Sequence, residues 1–382
     1  MKQMIYLDNA ATTSVDINVA ELVNKVSIET YGNPSSKHSK GMKSKKLLEE
    51  SREKIAKFIN ALPEEIYFTS GGTESNNLAL KGLAIANPGK KHIITSQIEH
   101  PAIIETCKTL EKQGYNVDYI SVDSDGIINL KELESKIKQD TLVVSVMHVN
   151  NEIGTIQPIE KIAGICQTKK VYFHSDCVQS FAKIPIDVKK VGLDLISVSG
   201  HKINAPRGIG FLYVKKEVEI CPIIDGGGQE NNLRSGTENL PGIIGLAEAL
   251  DIKRNKEEIK RSRDRIIKEL EKIPSARING SKEKRIYNNI NVSFYGVEGE
   301  SLMMLLDKEK ICVSTGSACS SHKLAQSHVL KAINLDHMYI NGSIRITLDK
   351  VTFAEEKYII DKIQDSVSKL QEISPFKFQK NK

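Results

Sequence analysis

Lys202, Asp176 and Cys319 are the positions of this chain whose chemistry depends most on where they are placed. Lys202 ends Ser197-Val-Ser-Gly-His-Lys202 and follows the apolar stretch 193–198. A lysine amine is nucleophilic only when neutral, which calls for a partly desolvated pocket. The end of a buried strand presents side chains to such a crevice, and a lysine there can form a Schiff base with an aldehyde. Alone, it reads more readily as an ordinary loop lysine. Asp176 closes Val171-Tyr-Phe-His-Ser-Asp176, 26 residues upstream, with Gln179 just beyond it. That separation is about one strand–helix–strand unit, so the two can meet at neighbouring strand ends. In Thr69-Ser-Gly-Gly-Thr-Glu-Ser-Asn76, a strand passes into a helix. Gly72, Thr73 and the helix N-terminus there make an anion site suited to a phosphate, although any helix cap could have this composition. His100 ends the next strand and can stack on a flat ring or shuttle protons; a lone histidine in that place is more often structural. Cys319 sits in the small, polar stretch Thr315-Gly-Ser-Ala-Cys-Ser-Ser-His322, which reads as a loop. Cys166 and Cys312 lie in apolar runs and read as inert core thiols.

Pyridoxal phosphate would use this whole set. Its aldehyde needs the lysine, its phosphate needs the anion site, and its ring nitrogen needs a carboxylate to stay protonated so that the ring acts as an electron sink. Asp176 suits the nitrogen, and Gln179 can hydrogen-bond the ring's 3-oxygen. Cys177, next to Asp176, is expected to pack on the ring.

The elements that must position these groups are visible in the hydrophobic pattern. Runs 66–69, 92–95, 117–120, 141–147, 171–174 and 195–198 predict short buried strands. Amphipathic segments 74–86, 102–113, 130–138 and 159–167 predict helices between them. That alternation implies a mostly parallel sheet covered by helices. Residues 209–214 predict a further strand, at an edge or antiparallel. One long helix is expected over 241–273, with Pro241 in its first turn. After it the pattern changes: strands at 288–294 and 343–347, helices at 299–306 and 354–373, a smaller α+β lobe. The expected domains are therefore 14–250, holding the cofactor, and 1–13 with 251–382, carrying the Cys319 loop.

Composition bounds the rest. A chain of 382 residues with 40% hydrophobic and 27% charged residues can build a large core. The net charge of +6 is small, and charges of both signs alternate in runs such as 253–265, which argues for a solvated face and against direct nucleic-acid binding. No stretch approaches the ~18 apolar residues of a membrane span, and the N-terminus lacks a signal core. A cytoplasmic protein is expected. The six cysteines are scattered without a C-x-x-C, so neither a disulfide framework nor a metal site is expected.

In family order, Tyr6-Leu-Asp-Asn-Ala-Ala-Thr-Thr13, Gly32-Asn-Pro-Ser-Ser36, Ser70-Gly-Gly-Thr-Glu-Ser-Asn76, Glu99-His100, His148-Val-Asn-Asn-Glu-Ile-Gly154, His174-Ser-Asp176, Ser199-Gly-His-Lys202, Arg234-Ser-Gly-Thr-Glu-Asn239, Gly316-Ser-Ala-Cys-Ser320 and Ser343-Ile-Arg345 resemble the cysteine desulfurases of the class-V aminotransferase group, over essentially the whole chain. The resemblance implies the fold type I architecture of pyridoxal-phosphate transferases. It implies that Lys202 carries the cofactor, that Asp176 and Gln179 contact its ring and that His100 stacks on it. Thr73, Ser199 and His201 become phosphate ligands, with Thr237 supplied by the second subunit of a homodimer, and Gly72, Gly200 and Asn151 become further cofactor-binding positions. Asn151 and Arg345 become substrate contacts, Arg345 pairing with the carboxylate of L-cysteine. Cys319 becomes the sulfur carrier, on a loop whose length resembles the branch in which the cysteine swings out to a partner. That partner would be a sulfur acceptor such as an iron–sulfur scaffold or a tRNA-thiolation enzyme. Selenocysteine lyase, transaminase and idle-scaffold readings stay open at this point. Four places depart from the family's usual pattern: Cys177, Asp349, Ala325-Gln326 and Asn231-Asn232.

Overall fold

The computed structural model describes residues 4–316 and 326–378; Cys319, His322 and Ala325 lie outside them. In chain order the strands are β1 (Ile5–Tyr6), β2 (Ile66–Thr69), β3 (His92–Ser96), β4 (Asn116–Ile120), β5 (Thr141–Ser145), β6 (Tyr172–Asp176), β7 (Leu195–Ser199), β8 (Gly210–Val214), β9 (Ala276–Ile278), β10 (Asn289–Phe294), β11 (Ile311–Cys312) and β12 (Ser343–Thr347).

Strands β2 to β8 form one seven-stranded sheet in the order β2-β8-β7-β6-β5-β3-β4. The pairs from β4 through β3, β5 and β6 to β7 are all parallel. Every residue of β3, β5, β7 and β8 is buried. That explains their continuous apolar reading, since helices cover both faces of such a sheet. Burial contributes about 1.5–3 kcal/mol for each side chain such as Ile93, Ile94, Val143 or Val144. Strand β8 is antiparallel, as expected, but it is not an edge: it lies between β2 and β7 and opposes both. Two reversals make β2 run the same way as β7. The carboxyl ends of β2, β3, β5, β6 and β7 therefore share one edge of the sheet. The segments that leave these ends carry Thr73, His100, Asn151, Asp176 and Lys202, and this is where open α/β sheets bind ligands.

The long helix expected over 241–273 is two. Leu240–Glu248 runs into a tight turn at Ala249–Asp251, and Lys256–Leu270 begins anew. Asn255 breaks the continuity because its side chain accepts the Glu258 N–H as an N-cap. Two helices absent from the sequence reading, Ile17–Glu29 and Ser39–Phe58, bury Val19, Val26, Leu48 and Ile55 in the main core. The second is so rich in Lys and Glu that only a narrow stripe marks it.

One core runs from Val19 to Ala249. Another gathers Leu7 with side chains from Ile259 to Val367, around the antiparallel sheet β12-β10-β9. A third joins Ile98, Met147 and Ile153 to Val329, Leu330 and Ile333, so the two regions share a packed seam. Away from the seam, Arg52 donates twice to the Glu230 carboxylate at 2.8 Å, and the Phe68 N–H donates to the same carboxylate at 2.8 Å. Beside this pair, Glu230, Asn231 and Asn232 have φ of 46°, 54° and 66°. Asparagine tolerates that left-handed region better than most residues, which accounts for one of the four sequence departures.

Candidate active site

A cavity of about 510 Å³ opens at the shared strand edge. Gly72, Thr73, His100, Asn151, Asp176, Gln179, Ser199, His201, Lys202 and Arg345 all line it. Gly200 does not: it is packed behind the wall, where a Cβ would come within 3.0 Å of Ile209 and 3.2 Å of Ala205. Thr237 is exposed and outside the wall.

The helix Gly72–Ala86 starts at the cavity, and no side chain caps its first turn. Its N-terminal N–H groups and dipole are thus directed at an anion. Gly71 has φ 150°, a conformation side chains resist, and a Cβ on Gly72 would sit 2.7 Å from Val178. The wall is therefore cut back to backbone where a phosphate would approach. Glu74, at the same turn, has its charge held by Arg234 at 2.7 Å and by the Ser70 N–H at 2.8 Å. His201 contributes a neutral ring: burial, then Lys202 and Arg207, push it down to about 4.

Asp176 ends β6. Its carboxylate accepts the Val178 N–H at 2.9 Å and the Asn76 Nδ2 at 2.7 Å. Asn76, which the sequence marks only as the end of a motif, thus aims the carboxylate. On the neighbouring strand, Lys202 lies on the turn Gly200–Lys202 directly after β7. Its Nζ donates to the carbonyls of Ala10 at 2.7 Å and Ala11 at 2.6 Å. Gln179 donates from Nε2 to the same Ala10 carbonyl at 3.0 Å. The N-terminal loop thus closes the cavity over the lysine. Beneath, His174 bridges the hydroxyls of Ser145 at 2.8 Å and Ser197 at 2.9 Å, tying β6 to both neighbours; full burial pushes its ring down to about 3.

His100 caps the helix Pro101–Glu111, its Nδ1 accepting the Ala102 N–H at 3.1 Å. Burial lowers its pKa, against Asp176, which raises it. As the acceptor in this cap Nδ1 carries no hydrogen, which leaves Nε2 as the donor, and taking up a proton at Nδ1 would break the cap. This arrangement fits stacking and hydrogen donation better than proton shuttling.

Arg345 is buried and already partnered: it donates to Asp8 Oδ1 at 2.8 Å and to the Asn151 carbonyl at 3.1 Å. Asp8 joins the site through this pair, although the sequence shows it only as one member of the N-terminal motif. Cys177, expected on the cofactor ring, belongs instead to the apolar core and does not line the cavity. Burial pushes its thiol up to about 12.

These residues fit pyridoxal phosphate. The uncapped helix end with Thr73, Ser199 and His201 suits the phosphate, Asp176 the ring nitrogen, Gln179 a ring oxygen, and Lys202 the aldehyde.

The family model Aminotransferase class-V matches residues 5–356. The cysteine desulfurase IscS of Dictyoglomus turgidum is 47% identical over 385 residues, covering 99% of this chain and 98% of that protein. The cysteine desulfurase IscS of Methanosarcina thermophila is 46% identical over 378 residues, covering 97% and 94%. A solved structure described as a NifS-like protein has a TM-score of 0.91 at 40% identity, covering 96% of this chain and 100% of that one. Another, SspA in complex with cysteine, has a TM-score of 0.83 at 37% identity, covering 90% and 99%. With a family match over most of its length and relatives this similar, the chain belongs to the class-V aminotransferases, a family that depends on pyridoxal phosphate.

Proposed function

We propose that the protein is a cysteine desulfurase that converts L-cysteine to L-alanine and takes the sulfur onto Cys319 as a persulfide. The observation that carries this reading is the convergence of Lys202, Asp176 and Arg345 on one cavity, in a chain so similar to named cysteine desulfurases. The persulfide then passes to an acceptor protein, an iron–sulfur scaffold or a tRNA-thiolation enzyme. Domain roles follow: 14–250 holds the cofactor, and 1–13 with 251–382 carries the Cys319 segment, a division supported by the separate apolar cores.

Pyridoxal phosphate, when bound, supplies the electron sink that stabilises negative charge at the substrate's α-carbon. The chain's own groups do the rest. Arg345 receives the substrate carboxylate, and Asp8 and the Asn151 carbonyl hold its guanidinium in place for that bidentate contact. Lys202 Nζ takes the α-proton and later returns one. The Cys319 thiolate attacks the substrate sulfur, forming S–S as the C–S bond breaks. The electron pair of that bond stays with the β-carbon, which gains a proton to become the methyl of alanine. Sulfur is oxidised and carbon reduced, so no outside oxidant enters.

The test is product analysis. Purified, cofactor-loaded protein given L-cysteine should release alanine in step with acceptor-bound or reductant-released sulfur. Pyruvate or a transamination product in place of alanine would overturn the reading.

Thr237 is read as a phosphate contact donated across a homodimer. In support, its loop is anchored beside the cavity by the Arg234–Glu74 pair, while Thr237 itself is exposed and outside the wall of its own cavity. Sedimentation should find an active dimer; a stable, active, cofactor-loaded monomer would remove that role. No helix among the described residues is long and apolar enough to cross a membrane, and a cytoplasmic place suits transfer to acceptors there.

A further inference from the structure

Lys183 lies on the turn after β6, four residues beyond Gln179, and is buried at 6% exposure. Its Nζ donates to Gln179 Oε1 at 3.1 Å. The other end of that amide, Nε2, donates to the Ala10 carbonyl at 3.0 Å, which also receives Lys202. The two ends of a glutamine amide have nearly the same shape, so its partners decide which way it faces. An ammonium only donates and a carbonyl only accepts. With Lys183 on one side and Ala10 on the other, the orientation of Gln179 is fixed from both ends. One Nε2 hydrogen goes to Ala10, and the second is left for the cavity.

We propose that Lys183 is a positioning residue for the bound cofactor: it engages Oε1 so that Gln179 presents an N–H, and not a carbonyl, to the oxygen on the cofactor ring. This rests on the reading that the cavity holds pyridoxal phosphate. A ring oxygen that carries negative charge accepts from an N–H and is repelled by a carbonyl. The donor makes that oxygen less basic and so lowers the pH at which the bound chromophore loses its proton. The charged groups that act on Lys183 are Lys202 and Arg254, which oppose its charge, and Asp349, which favours it; burial is the largest influence, and together they lower it to about 7. In either protonation state Nζ keeps a hydrogen for Oε1; the ammonium excludes the reversed amide from that side, and once Nζ is neutral the Ala10 carbonyl excludes it from the other. Asp349, one of the sequence departures, is thereby the acid that partly offsets this buried amine.

The experiment is an absorbance titration of the full-length protein loaded with pyridoxal phosphate, with cofactor affinity measured alongside. Lys183→Met removes the donor. Lys183→Gln is a polar second variant, too short to reach Oε1, in case the first does not fold. Each should raise the chromophore's pH midpoint by about one unit, the scale of one hydrogen bond, and weaken cofactor binding about tenfold. Gln179→Leu should do the same. The double variant Lys183→Met with Gln179→Leu should do no more than Gln179→Leu alone, because Lys183 acts through that amide. An unchanged midpoint in whichever Lys183 variant folds, or additive effects in the double variant, overturns the proposal while leaving the cofactor reading intact. Wild-type protein that binds no cofactor overturns both.

Discussion

Lys202→Ala is expected to lower turnover of L-cysteine by about 10³-fold or more while the fold and part of the cofactor affinity survive. The loss is large because one amine does two jobs: it carries the cofactor, and it moves the α-proton, a step for which a positioned base alone contributes about 10²–10⁴-fold. Survival of the fold follows from the partners of Lys202. Its Nζ donates to the backbone carbonyls of Ala10 and Ala11, which can turn to water once the side chain is gone. Phosphate contacts at the uncapped end of Gly72–Ala86 do not involve the lysine and should retain some cofactor. The measurements are single-turnover alanine formation, the visible absorbance of the loaded protein and a melting curve. More than a trace of turnover in this variant would refute the role of Lys202; a collapsed melting curve would make its role structural.

Cys319→Ser should stop sulfur transfer, with alanine formation reduced by roughly the 10²-fold or more that a lost nucleophile or positioned group costs, while the protein still responds spectrally to added cysteine. Cys177→Ala should stay within about tenfold of wild type. The contrast comes from the state of each thiol. Only a thiolate attacks sulfur. Cys177 is fully buried, and its thiol is pushed up to about 12 by desolvation, with Asp176 adding to the rise. The same holds for Cys107 and Cys166, both pushed up to about 12 by burial. The described cysteines form no disulfide. The residues bounding the Cys319 segment are fixed close to the cavity. Upstream, Ser314 pairs with the backbone of Arg345. Downstream, Ser327 donates to the buried Glu152 at 2.5 Å, and His328 contacts the Glu99 carbonyl at 2.9 Å. Glu152 and Glu99 are the chain neighbours of the wall residues Asn151 and His100. Mass spectrometry after a pulse of cysteine should therefore find the added sulfur on the peptide containing Cys319. Sulfur found chiefly on Cys177, or full activity in Cys319→Ser, would refute the assignment and reopen the lyase and transaminase readings.

Much of this site is legible in the amino-acid sequence because its key features are local. A lysine just past a buried strand, an acid at a strand end and a glycine-rich turn into a helix each depend on a few consecutive residues. Backbone geometry then decides where they emerge. The hydrophobic pattern likewise locates six of the seven main-sheet strands within a residue or two, and gives the other as antiparallel or at an edge. It fails where one residue's capping overrides periodicity, as at Asn255, and where charge masks a helix, as in Ser39–Phe58.

The pairings between distant segments are a different matter. The sequence presents Arg345 as waiting for a carboxylate, but the fold gives it Asp8, 337 residues away. It presents Gln179 as a ring contact, but the orientation of that amide depends on Ala10, 169 residues away, and on a lysine with no sequence signal of its own. Cys177 has the sequence position of a neighbour of the cofactor, and only packing shows that it faces the core. Sequence by itself determined which chemical groups this protein carries and roughly which strand ends deliver them, because strand and turn propensities act over a few residues. Tertiary structure decided their partners, orientation and ionisation, because hydrogen bonding and desolvation depend on distances in space that no local pattern encodes.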